Sequence, residues 1–459
     1  MHYIQTWHSV DGLDLKNKSN DSGGAIFSQG DAQNKNILVF NGIAIFTGNE
    51  STYGNGGGAI HTRYSNLTFG EKVYFEGNKS EKDGGAIYAY RSDLMLFAEE
   101  ATFVNNKSKN DGGAIYSRGD RGSNNILMFY KKTNFTGNKS TDNGGGAIHA
   151  YYSDLVFLEE VEFKNNSSFS IGGAIVIEGN WQHRAYVAFN RLAIFENNSS
   201  RRGGAIYLFG DVDMIFRSGL RLTGNATEKE GSGAIYMQGT SRDCMAKVTI
   251  EQENSSIPTE FKENTSDNGR GHNAFYLQQY AELNFAAKEG DIDLYDRIYG
   301  ANRDMFTNIS TVAVNINQGA GWFNVKRGGS IANVDLTNRG NLNLAESQVA
   351  VRALNFINSG RIVFGIFPEN KKCSGIQAEN ITLEGDTTLE ISMAPGIYKN
   401  GYHYDTMISE NAIKKSGNIS MVFLQELPRG LRARIKVWDQ FYRLFIEEDS
   451  KNNNENWFN

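Results

Sequence analysis

Site chemistry needs a nucleophile, an acid–base pair or metal ligands at close spacing, so the histidines and cysteines are read first. The seven histidines are His2, His8, His61, His149, His183, His272 and His403. They form no His-x-x-x-His pair, and the chain has no Gly-x-Ser-x-Gly elbow and no phosphate-binding loop. His61 and His149 stand where Tyr stands in neighbouring copies of a repeat described below. Cys244 and Cys373 lie far apart without metal-ligand spacing. They can pair or remain two free thiols, and the sequence leaves both open. No catalytic residue, metal or cofactor is expected from these patterns.

What recurs instead is a pair of words. Gly84-Gly85-Ala86-Ile87 has counterparts ending at Ile26, Ile60, Ile115, Ile148, Ile175 and Ile206, and decays to Ser232-Gly233-Ala234-Ile235. Before it stands Phe-x-x-Asn, ending at Asn49, Asn78, Asn106, Asn138, Asn166, Asn198 and Asn264, with Leu222 replacing Phe before Asn225. Such self-similarity marks a repeat architecture. The successive asparagines from Asn49 to Asn225 are 29, 28, 32, 28, 32 and 27 residues apart. A unit of that length is too short for a domain and too regular for a loop.

Each unit holds three short strand-like runs; in the third full unit these are 85–90, 93–97 and 101–105. Leu94 and Leu96 alternate with polar or outward positions, as in a half-buried strand. Gly, Asn, Asp and Ser fill the gaps as turns require, and helical periodicity is absent. Three strands and three turns per unit describe one rung of a parallel β-helix. The Gly-Gly pair permits positive φ and close backbone approach at a corner, while Ile points inward. The Phe fills the core. The Asn sits at a corner, where it tolerates the left-handed conformation and its amide can bond the Asn on the next rung, about 4.8 Å away. Asn49, Asn78, Asn106, Asn138, Asn166 and Asn198 are thus expected to form a structural ladder. Sequons such as Asn78-Lys79-Ser80 are read the same way, since a buried corner Asn could not carry a glycan.

A second pattern points outward. The residue after each inward Ile is Phe27, His61, Tyr88, Tyr116, His149, Tyr207 or Tyr236, and two residues on come Arg63, Tyr90, Arg118, Tyr151, Phe209 and Gln238. At rung spacing this makes a stripe of aromatics with Arg. Tyr88, Tyr90, Tyr116, Arg118, Tyr151 and Tyr207 are its candidate ligand-binding residues, because Tyr and Arg combine large contact area with polar handles. The competing reading is that in-register aromatics only stabilise one another across rungs.

The whole chain fits this picture. Among 459 residues there are 50 Gly and 4 Pro, which suits tight turns between strands that need their backbone donors. A net charge of −6 without a basic run gives no support for nucleic-acid binding. No apolar run approaches the ~20 residues of a membrane helix. After residue 290 a second repeat aligns Asn317, Asn338 and Asn358, which are 21 and 20 residues apart. The chain is therefore divided into a repeat β-helix at 1–290, shorter rungs and a cap at 291–446, and a polar tail at 447–459. Segment 437–446 is expected to cover the open end, whose unpaired backbone groups need a cover. The fold class is all-β: a right-handed, single-stranded parallel β-helix of about fourteen rungs, about 65–70 Å long.

The paired words resemble those of the chlamydial polymorphic membrane proteins, a family of autotransporter surface proteins, most strongly from Gly23 to Phe285. The segment 290–298 is similar to a strand that follows the last repeat there, departing at Arg297, where the family commonly has Pro. The resemblance implies a passenger region exported by type V secretion to the Gram-negative outer membrane, cell surface or medium, acting as an adhesin toward a host-cell receptor or glycan. It also implies a membrane barrel of about twelve strands of ~9–11 residues each. Residues 447–459 cannot supply one, so a longer precursor is expected. The start is read as cut within a repeat, since Asp14 stands where Phe should precede Asn17-Lys18-Ser19. The alternatives are a polysaccharide-active β-helix enzyme of the pectin lyase or glycoside hydrolase kind, and a non-binding stalk. The enzyme needs carboxylates clustered on one face of adjacent rungs. Arg434-Ile435-Lys436 is similar to a galacturonase element but lacks upstream partners, and a non-enzymatic role is favoured.

Overall fold

The computed structural model describes residues 13–96, 99–120, 124–228, 233–301, 311–349 and 351–449. His2, His8 and residues 450–459 of the polar tail lie outside that set. Every regular element among the described residues is a strand, and no helix is long and apolar enough to cross a membrane. The strands wind into a parallel β-solenoid of about 13 turns, against the about fourteen expected.

One coil shows how the words act. Its strands are Val73–Glu76, Lys79–Ser80, Ile87–Tyr90 and Leu94–Leu96. Phe75 pairs in register with Phe46 and Phe103, and Ile87 with Ile60 and Ile115. Lys79–Ser80 is a fourth strand that the three-run reading lacks; it ladders onto Glu50–Ser51 and Lys107–Ser108. Two residues are too few to carry an alternating pattern, so the sequence does not announce them.

The core lies inside the coil. Val73 and Phe75 are fully buried while Tyr74 between them faces out, half-buried. Phe46, Phe75, Phe103, Phe135, Phe163 and Phe195 stack face to face with centroids 4.7–5.0 Å apart. That separation matches the strand spacing, so the rings stack without distorting the ladder. A second file, Phe129–Phe157–Phe189–Phe216, stacks at 4.6–5.0 Å and meets the first edge-on.

The two glycines of the corner do different work. The first is left-handed in all seven copies, with φ between +57° and +77°. The second is not, but a Cβ on Gly85 would overlap the Gly113 carbonyl of the next coil. At the other corner the left-handed residue is not the motif Asn. It is the residue before it: Gly48, Gly77, Asn105, Gly137, Asn165, Asn197 and Gly224, with Glu263 in the last copy. The third position of Phe-x-x-Asn is Gly or Asn for this reason. The Asn itself is freed from conformational duty and turns its amide inward.

The shorter rungs continue the same sheet. Ile292–Leu294, Phe323–Val325, Asn341–Leu344, Arg361–Phe367 and Thr387–Met393 extend the ladder begun by the Phe strands. At the C-terminal end Leu431–Val437 and Phe441–Glu448 form an antiparallel hairpin, and the second strand pairs with His403–Ser409. Tyr442, Leu444 and Ile446 of that second strand are its buried face. Glu447 and Glu448, assigned to the polar tail by sequence, belong to its last strand.

Candidate functional site

The strand after each Gly-Gly corner places two columns on the outside of one sheet. The first aligns Phe27, His61, Tyr88, Tyr116, His149, Val176, Tyr207, Tyr236, Tyr276 and Tyr299. His61 stacks on Tyr88 at 4.5 Å, Tyr88 on Tyr116 at 5.3 Å, and Tyr207 on Tyr236 at 5.0 Å. Val176 interrupts the rings. The middle of this column is outside the core but is not open: Tyr88, Tyr116 and Tyr207 are only 8%, 8% and 7% exposed, whereas Phe27 at one end is exposed and Tyr276 and Tyr299 at the other are half-buried. Val176, Tyr207 and Tyr236 form a second, smaller apolar cluster of their own. Burial pushes the Tyr88 hydroxyl up to about 12, and Tyr116 and Tyr236 also upward. Three of the six candidate ligand residues therefore pack as a covered layer, which the outward alternation alone did not predict.

The second column is the accessible one. Arg63, Tyr90, Arg118 and Tyr151 follow one another in register on successive coils, so cation and ring alternate. Tyr90 and Tyr151 are half-buried, and Arg63 and Arg118 are exposed. The Arg63 guanidinium lies 5.6 Å from the Tyr90 ring centre, and Arg118 lies 5.4 Å from Tyr151. These are cation–π distances. Neither arginine has an ion-pair partner among the described residues. Between the columns runs a shallow groove of about 240 Å³ lined by Asn55, His61, Arg63, Tyr88, Tyr90 and Arg118. Sequence reasoning missed the neighbouring corner, where Tyr64, Arg91 and Tyr152 are left-handed at φ +49° and add more aromatic and basic surface. Arg91 donates to the Tyr64 hydroxyl at 2.7 Å and Tyr151 to the Tyr152 hydroxyl at 2.9 Å. The signal was available: each follows directly on a residue of the accessible column.

His149 gathers the nearest approach to acid–base chemistry. Its Nδ1 is 2.9 Å from Asp111 and its Nε2 3.3 Å from Glu178. Burial acts to lower its affinity for a proton, but the two carboxylates outweigh this and lift it to about 10. The carboxylates are thus committed to a buried imidazolium. His61, in the same column, has no such pair; burial takes it down to about 4. Among the described residues no group of three or more His, Cys, Asp or Glu is placed to hold a metal ion. Arg434, Ile435 and Lys436 lie in the capping hairpin, on Leu431–Val437. Cys244 and Cys373 are both free thiols, and burial, with Asp405 adding, pushes Cys373 up to about 12.

On the inner side the six ladder asparagines are fully buried. The Asn49 Nδ2 donates to Asn78 Oδ1 at 2.8 Å, and the same bond repeats at 2.9–3.0 Å through Asn106, Asn138, Asn166, Asn198 and Asn225. Each Oδ1 also accepts the backbone N–H of the preceding Asn, and each Nδ2 from Asn78 onward also donates to the carbonyl of a motif Phe, as from Asn106 to Phe75. Every polar atom of the buried amide is satisfied.

Residues 72–90, 100–118, 132–151 and 193–208 match the Chlamydia polymorphic membrane protein repeat. Each of the four matches runs from a Phe-bearing strand through to the strand of the two columns. A comparison with curated proteins finds no match. The four matches, set on a solenoid whose coils those words build, make this chain similar to chlamydial polymorphic membrane proteins in its repeats.

Proposed function

We propose that the chain is the passenger domain of an autotransporter, exported by type V secretion to the outer membrane or surface of a Gram-negative bacterium. There it acts as an adhesin for a host-cell receptor or glycan, without catalysing a reaction. The repeat matches and the solenoid fit a passenger of that family, whose members are generally non-enzymatic. The observation that carries the binding claim is the Arg63–Tyr90–Arg118–Tyr151 column. It presents unpaired guanidinium groups and ring faces side by side on a rigid sheet, the combination that dominates recognition surfaces. The covered column beside it on the same strands fixes its backbone, so little ordering entropy opposes binding.

Adhesion of protein-coated beads to epithelial cells tests this. Replacing Arg63, Tyr90, Arg118 and Tyr151 together by Ser should remove adhesion while leaving the melting temperature within a few degrees. Unchanged adhesion by a folded variant would make the column a scaffold and return the stalk reading.

A further inference from the structure

The aromatic column does not simply stop at the end of the repeats. Tyr299 is its last ring, stacked on Tyr276 at 5.8 Å. In register beyond it come Ala332 and then Arg352. The small side chain leaves a step in the column, and charge gathers there. A cleft of about 430 Å³ opens beside it, lined by Asp267, Arg270, Tyr276, Arg297 and Tyr299 among others. Arg297 lies over the Tyr299 ring at 4.1 Å from its centre, the shortest such distance recorded among the described residues.

The charges in this cleft are not balanced. Arg270 and Arg297 of its lining form no ion pair among the described residues, and neither does Arg352, which lies outside the lining but near enough to act on Arg297. Asp296 is next to Arg297 in sequence but faces the opposite side of the strand, 2% exposed, where it accepts the N–H and Nδ2 of Asn264. Only Asp267 supplies a carboxylate to the lining. Burial, with Arg352 adding, pulls the half-buried Arg297 below its ordinary value. A partly desolvated cation beside like charge is costly unless an anion arrives to pair with it.

From this juxtaposition we infer that the Arg270–Arg297–Tyr299 cleft is a binding site for an acidic polysaccharide. The guanidinium fork of Arg297 takes a carboxylate or sulfate group, and the charge of Arg352, two coils beyond Tyr299 in register, adds to the attraction. The ring faces of Tyr276 and Tyr299 take the apolar face of the sugar carrying it. A peptide fits less well: the strands on this face pair with neighbours on both sides, leaving no edge for an added strand. The site is independent of the Arg63–Tyr151 column, uses other residues, and stands or falls apart from adhesion.

The test measures binding of the purified chain to heparin, polygalacturonate, neutral dextran and poly-glutamate at low and physiological salt. Binding to heparin or polygalacturonate, but not dextran, is expected, and whichever binds identifies sulfate or carboxylate as the recognised group. Arg297→Gln should weaken it about tenfold, the loss of a charge-assisted contact. The paired variant Arg63→Gln/Arg118→Gln should leave it unchanged. If Arg297→Gln fails to fold, Arg270→Gln, on an exposed side chain of the same lining, carries the same expectation. The inference is overturned if neither polysaccharide binds, if both sets of variants weaken binding alike, or if poly-glutamate binds as tightly.

Discussion

Asn264 donates its Nδ2 to the Asp296 carboxylate at 2.7 Å, and its backbone N–H to the same oxygen at 2.9 Å. A ladder that runs amide to amide from Asn49 to Asn264 thus ends on a buried acid, at the point where the long coils give way to short ones. His272 is 4.0 Å from the other oxygen.

That ending makes stability depend on pH. Burial raises Asp296 from 3.8 to about 6, against which its hydrogen bonds to Asn264 and the charge of His272 act. The folded value exceeds the unfolded one, so the contribution is fully present below pH 3.8 and lost as pH rises through about 6. Asp296→Asn should remove this slope and stabilise the protein near neutral pH by about 2 kcal/mol. Melting curves from about pH 4 to 7 check it; a variant less stable at neutral pH would show that the charge is needed.

His61 and His149 titrate on opposite sides of the ordinary range. His149 sits above its unfolded value of 6.5, so its stabilisation is complete below that pH and lost as pH rises through about 10. His61 sits below, so stability is lost as pH falls from 6.5 toward about 4. Imidazole nitrogen shifts should show His149 protonated at about pH 8 and His61 neutral at about pH 5. Identical titrations would refute the assigned surroundings.

The corner glycines separate strain from collision. Gly77 has φ +62° and open space around it, so Gly77→Ala should cost only about 1–2 kcal/mol. Gly85 has no left-handed φ but meets the Gly113 carbonyl, so Gly85→Ala should cost more, about 3 kcal/mol or above. Chemical denaturation of the two variants gives the order directly.

In mid-ladder, Asn106→Ala leaves the N–H and Nδ2 of Asn78 without the Asn106 Oδ1 acceptor and removes the Nδ2 donor from Phe75 O and Asn138 Oδ1, the latter keeping only the backbone N–H of residue 106. A loss of about 3 kcal/mol is expected, with binding to cells retained in the fraction that folds. A change below about 0.5 kcal/mol would mean that water replaces the amide.

Much of this was legible because the repeat writes each position several times. The Gly-Gly corner, the inward Ile and Phe, and the Asn ladder follow from residue type and spacing. The left-handed residue before each Asn was also written, as Gly or Asn, but the more frequent Asn drew the assignment. The Lys79–Ser80 strand is too short for any period. The covering of Tyr88, Tyr116 and Tyr207 was not legible from strand alternation, which tells the inside of a coil from the outside. Loops before the Gly-Gly corner, where His61 Nδ1 lies 3.2 Å from Gly56 O, approach the outer face and depend on tertiary geometry. The unpaired Arg297 was visible only as a departure in one strand.

The binding face itself is tested most directly by oxidative footprinting of the cell-bound and free protein, read by mass spectrometry at single tyrosines. Tyr90 and Tyr151 should be protected on binding, and Tyr74, equally half-buried but on another sheet, should not. Equal labelling of Tyr90 and Tyr151 in both states, or protection at Tyr74 instead, would contradict the assignment of adhesion to the Arg63–Tyr151 column.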